Sequence, residues 1–448
     1  MALKNTRKTS EKLFILIHAN SPMPVLAYRE GEEKAFSKLR EQGVKYLEVA
    51  FQDLEGRIRT RIVKLCAATH LSNGFRADGF SIGLLPVESS DLEVLPDLST
   101  LRLYRTRRGV FGFVIGDLLY GGRPLPTYPR HLLREIAGQA PVEVKVGVEL
   151  EFYLLRDGRP ADGHGYWDAG SQGLELLLDV AEAVDGSVEV HSVHHEVGPG
   201  QYELLPAPQD PVSAADTVVF LKRVVRAVAS ERGFTPTFMP KPFERLPGSG
   251  MHLHFSAEKG GEPLFSREGE LTEEGRSFIG GLLRHARELA ALTNQTVNSY
   301  KRLVPGMEAP VCISWGPGNR SALVRVPLSG SGVGKTIEFR LPDAGGNIYL
   351  AVAASLLAGL RGLQERVDPG PPLRSSAYAV QGLPRVPASL GEAVGELAKS
   401  RAARKSPLAA LLEKYIEVKQ REWQEYVEAC GSDCTGVTEW EIARYLER

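Results

Sequence analysis

Residues 146–152 read Val146-Gly147-Val148-Glu149-Leu150-Glu151-Phe152, with acidic and apolar side chains alternating. A strand has a side-chain period of two, so the pattern predicts Glu149 and Glu151 on one face and Val148, Leu150 and Phe152 on the other. One such pair reads equally well as a solvated acidic face, because a carboxylate is costly to bury. The arrangement recurs, however. In Gly250-Met251-His252-Leu253-His254-Phe255-Ser256 the shared face carries His252, His254 and Ser256. In Thr336-Ile337-Glu338-Phe339-Arg340-Leu341 it carries Glu338 and Arg340. His194-His195-Glu196 and Gly200-Gln201-Tyr202-Glu203 set two more carboxylates beside histidines. Five glutamates and a histidine on strands with apolar backs need partners, and divalent cations supply them. Oxygen donors favour magnesium, and one imidazole brings manganese into range. The set predicts a multi-metal site of the kind that clamps nucleotide phosphates.

Working outward, residues 30–120 read as a small α/β unit. Glu32–Gln42 is helix-like and Lys45–Phe51 strand-like, and a turn at Asp53-Leu54-Glu55-Gly56 returns the chain into Arg57–Val63 as a hairpin. The glycine- and proline-rich segment Gly121–Tyr128 reads as a linker. Helical periodicity follows in Glu175–Val184, Ala214–Glu231, Glu273–Leu292, Tyr349–Leu363 and Ser406–Ala429, and Val367–Pro387 reads as a surface loop. The run from Ser329 to Thr336 nearly spells a phosphate-binding P-loop. That motif needs a following helix whose N-terminus faces the phosphates, whereas Ile337–Leu341 alternates like a strand and stops at Pro342.

Length and composition are those of a soluble chain of two or so domains: 448 residues, 43% hydrophobic and 24% charged. A formal net charge of -1 argues against a nucleic-acid partner. The apolar run Leu13–His18 is too short for a secretory segment or a membrane span. Four cysteines without zinc-ligand spacing fit a reduced, cytoplasmic protein. The polar, basic N-terminus reads as a flexible tail over residues 1–25.

The segments Val146–Phe152, His194–Glu203, Thr237–Pro242, Gly248–His254, Asn298–Pro310, Asn319–Pro327 and Ile337–Asp343 together resemble the glutamine synthetase family, in its type I form, from about Val44 to the C-terminus. Phe51–Gly56 and Asp78–Gly83 resemble family segments more loosely. The resemblance implies an α+β fold: a small N-terminal β-grasp domain (26–125) and a large catalytic domain (126–448) on a curved antiparallel sheet with flanking helices. It also implies a homo-oligomer, a dodecamer of two hexameric rings, with active sites shared between subunits. The implied activity is ATP-dependent ligation of ammonia to the γ-carboxylate of L-glutamate, with two or three Mg2+ or Mn2+ ions per site. The alternatives are a γ-glutamyl ligase acting on a small amine or polyamine, and an inactive family member with a structural role.

By position, the resemblance assigns one metal to Glu151, Glu196 and Glu203, and a second, nearer the ATP phosphates, to Glu149, His252 and Glu338. His254, Ser256, Arg325 and Lys335 fall at nucleotide contacts. Arg302 and Arg340 fall where glutamate is gripped, with Gly248 and Glu196 beside them. Arg320 falls beside the transferred phosphoryl group, Glu308 on a closing flap, and Asp53 where a neighbouring subunit supplies a base for ammonium. The chain departs from the family pattern at three places. Pro247 replaces an asparagine that donates toward glutamate, Met307 replaces a frequent tyrosine on the flap, and Thr336 replaces a phosphate-contacting arginine for which Lys335 is the substitute. Tyr378 is the candidate for a regulatory tyrosine in a loop that is short and proline-rich.

Overall fold

Val44–Gln52 and Gly109–Tyr120 are apolar along most of their length, and they lie next to each other, in parallel, at the centre of one sheet. The computed structural model describes residues 36, 37, 39–67, 74–330, 332–431 and 434–447. The order across the sheet is Ile58–Lys64, Val44–Gln52, Gly109–Tyr120, Asp91–Thr106, Phe75–Asp78. Of the helix expected over Glu32–Gln42, the described residues 36, 37 and 39–41 are helical. The tail expected over 1–25 lies outside the described residues.

The segment Gly121–Tyr128, read as a linker, is a turn-rich connection that is nonetheless anchored. Arg123–Pro124 pairs back onto Leu119 and Tyr120, Leu125 and Tyr128 are buried, and the Tyr128 hydroxyl donates to the Gly116 carbonyl at 3.1 Å. Immediately beyond it Arg130, 1% exposed, joins the two halves of the chain. Its guanidinium reaches Asp97 (2.9 Å) and Asp117 (2.5 Å) on the N-terminal sheet and Asp216 (2.8 Å) on the helix Pro211–Glu231. Burial opposes ionisation of Asp117, but His131, Arg130 and Arg134 outweigh it and hold the carboxyl well below the usual range.

The quoted strand is in fact two. Glu143–Val148 pairs with Leu253–Lys259, and Leu150–Arg156 pairs with Gln201–Pro206. Glu149 is the joint where the chain passes from one sheet to the other, and its N–H still donates to the His252 carbonyl at 3.1 Å. The two sheets thus continue into one curved surface. It is mainly antiparallel, with Trp315–Pro317 and Val324–Val326 running parallel. Both faces of the joint are covered, so Val148, Leu150 and Phe152 are buried together with Glu151.

Helices pack behind this surface. Ile348–Glu365, capped by the Asn347 side chain on the Leu350 N–H, crosses Glu273–Arg284 at Gly281 and Gly362. A Cβ on Gly281 would sit 2.1 Å from the Ala358 carbonyl oxygen, so only glycine permits this approach. The helix expected over Glu273–Leu292 is interrupted at His285, giving Glu273–Arg284 and Ala286–Thr293. The P-loop look-alike forms a small hairpin, Leu328–Ser329 against Gly332–Val333, as the strand-like sequence after it requires. No described helix is long and apolar enough to cross a membrane.

Candidate active site

Strand register, rather than periodicity along one strand, assembles the site. Across one sheet His194 lies opposite Glu203, and Glu203 opposite Glu151. Across the other, Gly147 lies opposite His254, His254 opposite Glu338, and Glu338 opposite Arg325. Glu149, at the joint, belongs to both rows. Its carboxylate accepts from His252 Nδ1 at 2.7 Å and from His254 Nε2 at 2.8 Å. His252 Nδ1 is also 3.7 Å from Glu151 and 3.7 Å from Glu338.

Two groups have ligand atoms within 4.8 Å of one another: Glu149, His254 and Glu338, and His194, Glu196 and Glu203. Each offers carboxylate oxygens with one imidazole, the donor set expected for Mg2+ or Mn2+. Glu149 of the first group and all three residues of the second line a cleft of about 540 Å³, together with Glu151, His252, Tyr166, Arg302, Glu308, Arg320, Arg325 and Arg340.

Arginines share this cleft with the carboxylates. Arg340 donates to Glu338 at 2.6 Å and to the Glu308 carbonyl at 3.2 Å, while its Nε is buried with no hydrogen-bond partner among the described residues. Arg325 donates to the other oxygen of Glu338. Arg302, 3% exposed, is held by the carbonyls of Leu341 (2.8 Å) and Arg340 (3.1 Å). Gly248 lies on the Arg302 stem, where a Cβ would come 2.6 Å from Cγ.

The carboxylates are shifted in opposite directions. Burial raises Glu203, and repulsion from Glu149, Glu151, Glu196 and Glu338 raises it further, well above the usual range. Glu151 is raised mainly by burial, against the pull of His252 and Arg302. Glu149 and Glu338 shift the other way. Burial is overcome at Glu149 by hydrogen bonds from His252 and His254, and at Glu338 by Arg340 and His254. This surplus of buried negative charge at one end of the cleft is what a divalent cation fits.

A raised carboxyl binds its proton more tightly in the folded chain, so its contribution to stability is present at low pH and lost as pH rises through the folded value. A cation needs the deprotonated form. Mg2+ is therefore expected to raise the melting midpoint by several degrees more at a mildly alkaline pH than at an acidic one. Equal shifts in calorimetry at the two pH values would refute a cation held by Glu203 and Glu151.

The fold brings Glu149, Glu151, Glu196, Glu203, His252, Arg302, Arg320, Arg325, Arg340, Gly248 and Glu308 to one cleft, with ligand atoms of His254 and Glu338 within 4.8 Å of Glu149. Glu308 is exposed on the flap with φ of +53°. Ser256 and Lys335 do not line this cleft: Ser256 lies one strand repeat beyond His254, opposite Lys145, and Lys335 is exposed. Asp53 does not line it either. It is buried in its own turn, accepting from the Arg57 N–H at 2.8 Å and pairing with Arg59 at 2.8 Å. The Tyr378 hydroxyl donates to the Ala309 carbonyl at 3.0 Å at the base of the flap. The residue that sequence reasoning passed over is His194. Its spacing of two from Glu196 was a signal, and only the pairing with Glu203 gives it weight. Gln201, also lining the cleft, has the same spacing of two from Glu203, whereas Tyr166 carries no periodic signal.

A family model described as "Glutamine synthetase, catalytic domain" matches residues 127–445. A relative named glutamine synthetase from Thermococcus kodakarensis is 38% identical over 433 residues, covering 90% of this chain and 96% of its own. One of the same name from Thermotoga maritima is 36% identical over 436 residues, covering 91% and 98%. Among solved structures, "Apo GmaS without ligand" superposes with a TM-score of 0.80 at 32% identity, covering 91% of this chain and 98% of that one. "GmaS/ADP complex-Conformation 1" gives 0.81, with the same identity and coverage.

Proposed function

Because the chain belongs to the glutamine synthetase family, we propose that it is the ligase that joins ammonia to the γ-carboxylate of L-glutamate. ATP would first form γ-glutamyl phosphate, and the products would be L-glutamine, ADP and phosphate. The observation that carries this reading is a single cleft that gathers carboxylates, histidines and arginines, Arg302, Arg320, Arg325 and Arg340 among them, with two carboxylate–histidine groups at it. In this reading Glu149, His252 and Glu338 hold one Mg2+ or Mn2+, and Glu151, Glu196 and Glu203 another, with His254 and His194 adjoining. Bound there, the cations neutralise phosphate charge during transfer.

The chain's own residues do the rest. Phosphoryl transfer asks mainly for positioning and charge stabilisation, which Arg320 and Arg325 supply. Arg302 and Arg340 hold the carboxylates of glutamate with charge-assisted bonds. His254, Ser256 and Lys335 serve the nucleotide. Glu196, Glu308 and the Asp53 of an adjoining subunit make a negative pocket that binds ammonium and takes its proton. The flap at Gly306-Met307-Glu308 keeps water from the acyl phosphate. The reading includes two working units (26–125 and 126–448), a ring-shaped homo-oligomer of two hexamers and a cytoplasmic location.

A specific observation favours a second reading, ligation of a small amine. Pro247 lines the cleft and has no amide to offer; its carbonyl accepts from the Tyr153 hydroxyl at 2.7 Å. One lost polar contact is worth roughly 0.5–1.5 kcal/mol, or about a tenfold effect. Pro247→Asn is therefore expected to lower KM for glutamate by up to about tenfold with little change in kcat. Phosphate release measured with ammonium against ethylamine, ethanolamine and putrescine separates the readings. A higher kcat/KM for any of the amines would replace ammonia as the nucleophile.

A further inference from the structure

Lys241 is 3% exposed and sits where three parts of the cleft meet. Its backbone is pinned to Asn298, with its N–H donating to Oδ1 at 2.7 Å and its carbonyl accepting from Nδ2 at 2.9 Å. Asn298 is in turn held by Glu441 at 2.9 Å and opens the short helix that ends at Arg302. From this fixed root the ammonium reaches two irregular loops. It donates to the Leu246 carbonyl in the loop that carries Pro247, and it lies 3.1 Å from the Met307 sulfur on the flap. These two loops hold the two wall positions at which the chain departs from its family's pattern, Pro247 and Met307.

The contacts are unequal. An ammonium has three donors and is costly to bury without oxygen partners. Among the described residues Lys241 has one carbonyl and one thioether, and a thioether is a weak acceptor. Met307 is itself 36% exposed. The bond to the loop at Leu246 is therefore the firm one, and the bond to the flap is the one that gives way. Burial pulls the ammonium's pKa down, opposed by the exposed Glu244.

We infer that Lys241 is a positioning residue that tethers the flap to the Pro247 loop, so that the two walls beside the nucleophile close together. The inference rests on the proposed ligation through γ-glutamyl phosphate. A flap that leaves too early lets water attack the acyl carbon. The acyl C–O bond to phosphate breaks, glutamate and phosphate are released, and one ATP is spent without a new C–N bond. The tether limits that loss.

Lys241→Met keeps the stem and removes the charge. It is expected to speed amide hydrogen exchange over residues 304–309 about tenfold in the substrate-free enzyme. It should also raise phosphate released per amide formed from about one to about two or more. Met307→Leu should act in the same direction and less strongly, and the double variant should be no worse than Lys241→Met, because both remove one contact. Unchanged exchange and stoichiometry in Lys241→Met, or single effects that multiply, would overturn the tether. If Lys241→Met does not fold, exchange in Met307→Leu decides alone. A wild-type enzyme that forms no amide with any nitrogen nucleophile would remove the ligase reading and leave the exchange result standing.

Discussion

On the proposed ligation, Glu149→Ala is expected to lower activity by about a hundredfold or more while the protein stays folded. Glu149 stands at the sheet joint, accepts from both His252 and His254, and keeps 18% of its side chain exposed to the cleft. Losing it takes a ligand out of the metal clamp and opens no cavity in the core. Glu338 is expected to matter as much to rate and more to stability. It is fully buried and paired with Arg325 and Arg340, so Glu338→Ala leaves two guanidinium groups uncompensated, at a cost of about 3–5 kcal/mol. Glu338→Gln separates the effects, because the amide keeps the shape and removes the anion. Turnover at saturating Mg2+ and ATP, read beside the melting midpoint, is the measurement. Near-normal turnover in a folded Glu149→Ala protein would end the metal assignment.

Asp53→Ala and Glu308→Ala are each expected to be nearly inactive alone. Mixed one to one and reassembled, they should recover about a quarter of wild-type activity. The fraction follows from geometry. Asp53 sits in its own turn, sealed by Arg59 and backed by Gly346, whose carbonyl carbon would lie 2.2 Å from a Cβ on Gly56. It does not line the cleft that Glu308 lines. If each site takes Asp53 from one subunit and Glu308 from another, one random pairing in about four has both intact. If one chain supplied both groups, no mixture would recover anything. Activity after subunit exchange, compared with each variant carried through the same treatment, distinguishes the cases.

Much of this site was legible in the sequence, for a reason that also marks the limit. Alternation correctly predicted that Glu149 and Glu151 turn to the same side as the other acidic strands. It could not show that the chain changes sheets at Glu149, because both halves obey the same period. The rejection of a P-loop at Ser329–Thr336 held because a strand and a helix leave different patterns. His194 stayed hidden because its partner Glu203 is on the next strand, and register is not written along one strand. The break at His285 has no proline to announce it. Composition gave the turns of Gly121–Tyr128 but not its two buried anchors, Leu125 and Tyr128, which no periodicity announces. Asp53 lies away from the cleft, and alternation along a strand carries no signal for where a turn residue will sit.

The Arg130 junction bears on how this gene can be cut. The natural place to divide it, between the codons for residues 125 and 126, leaves Asp97 and Asp117 on one fragment and Arg130 with Asp216 on the other. The same cut parts Glu48 from Arg223 and the Asp53 carbonyl from Asn347. Asp97, Asp117 and the buried Glu48 would lose their arginines, whereas Arg130 would keep Asp216, so the N-terminal fragment loses the more by the cut. Expressed together, the halves have reason to find each other, and the seam is a natural place for a split reporter.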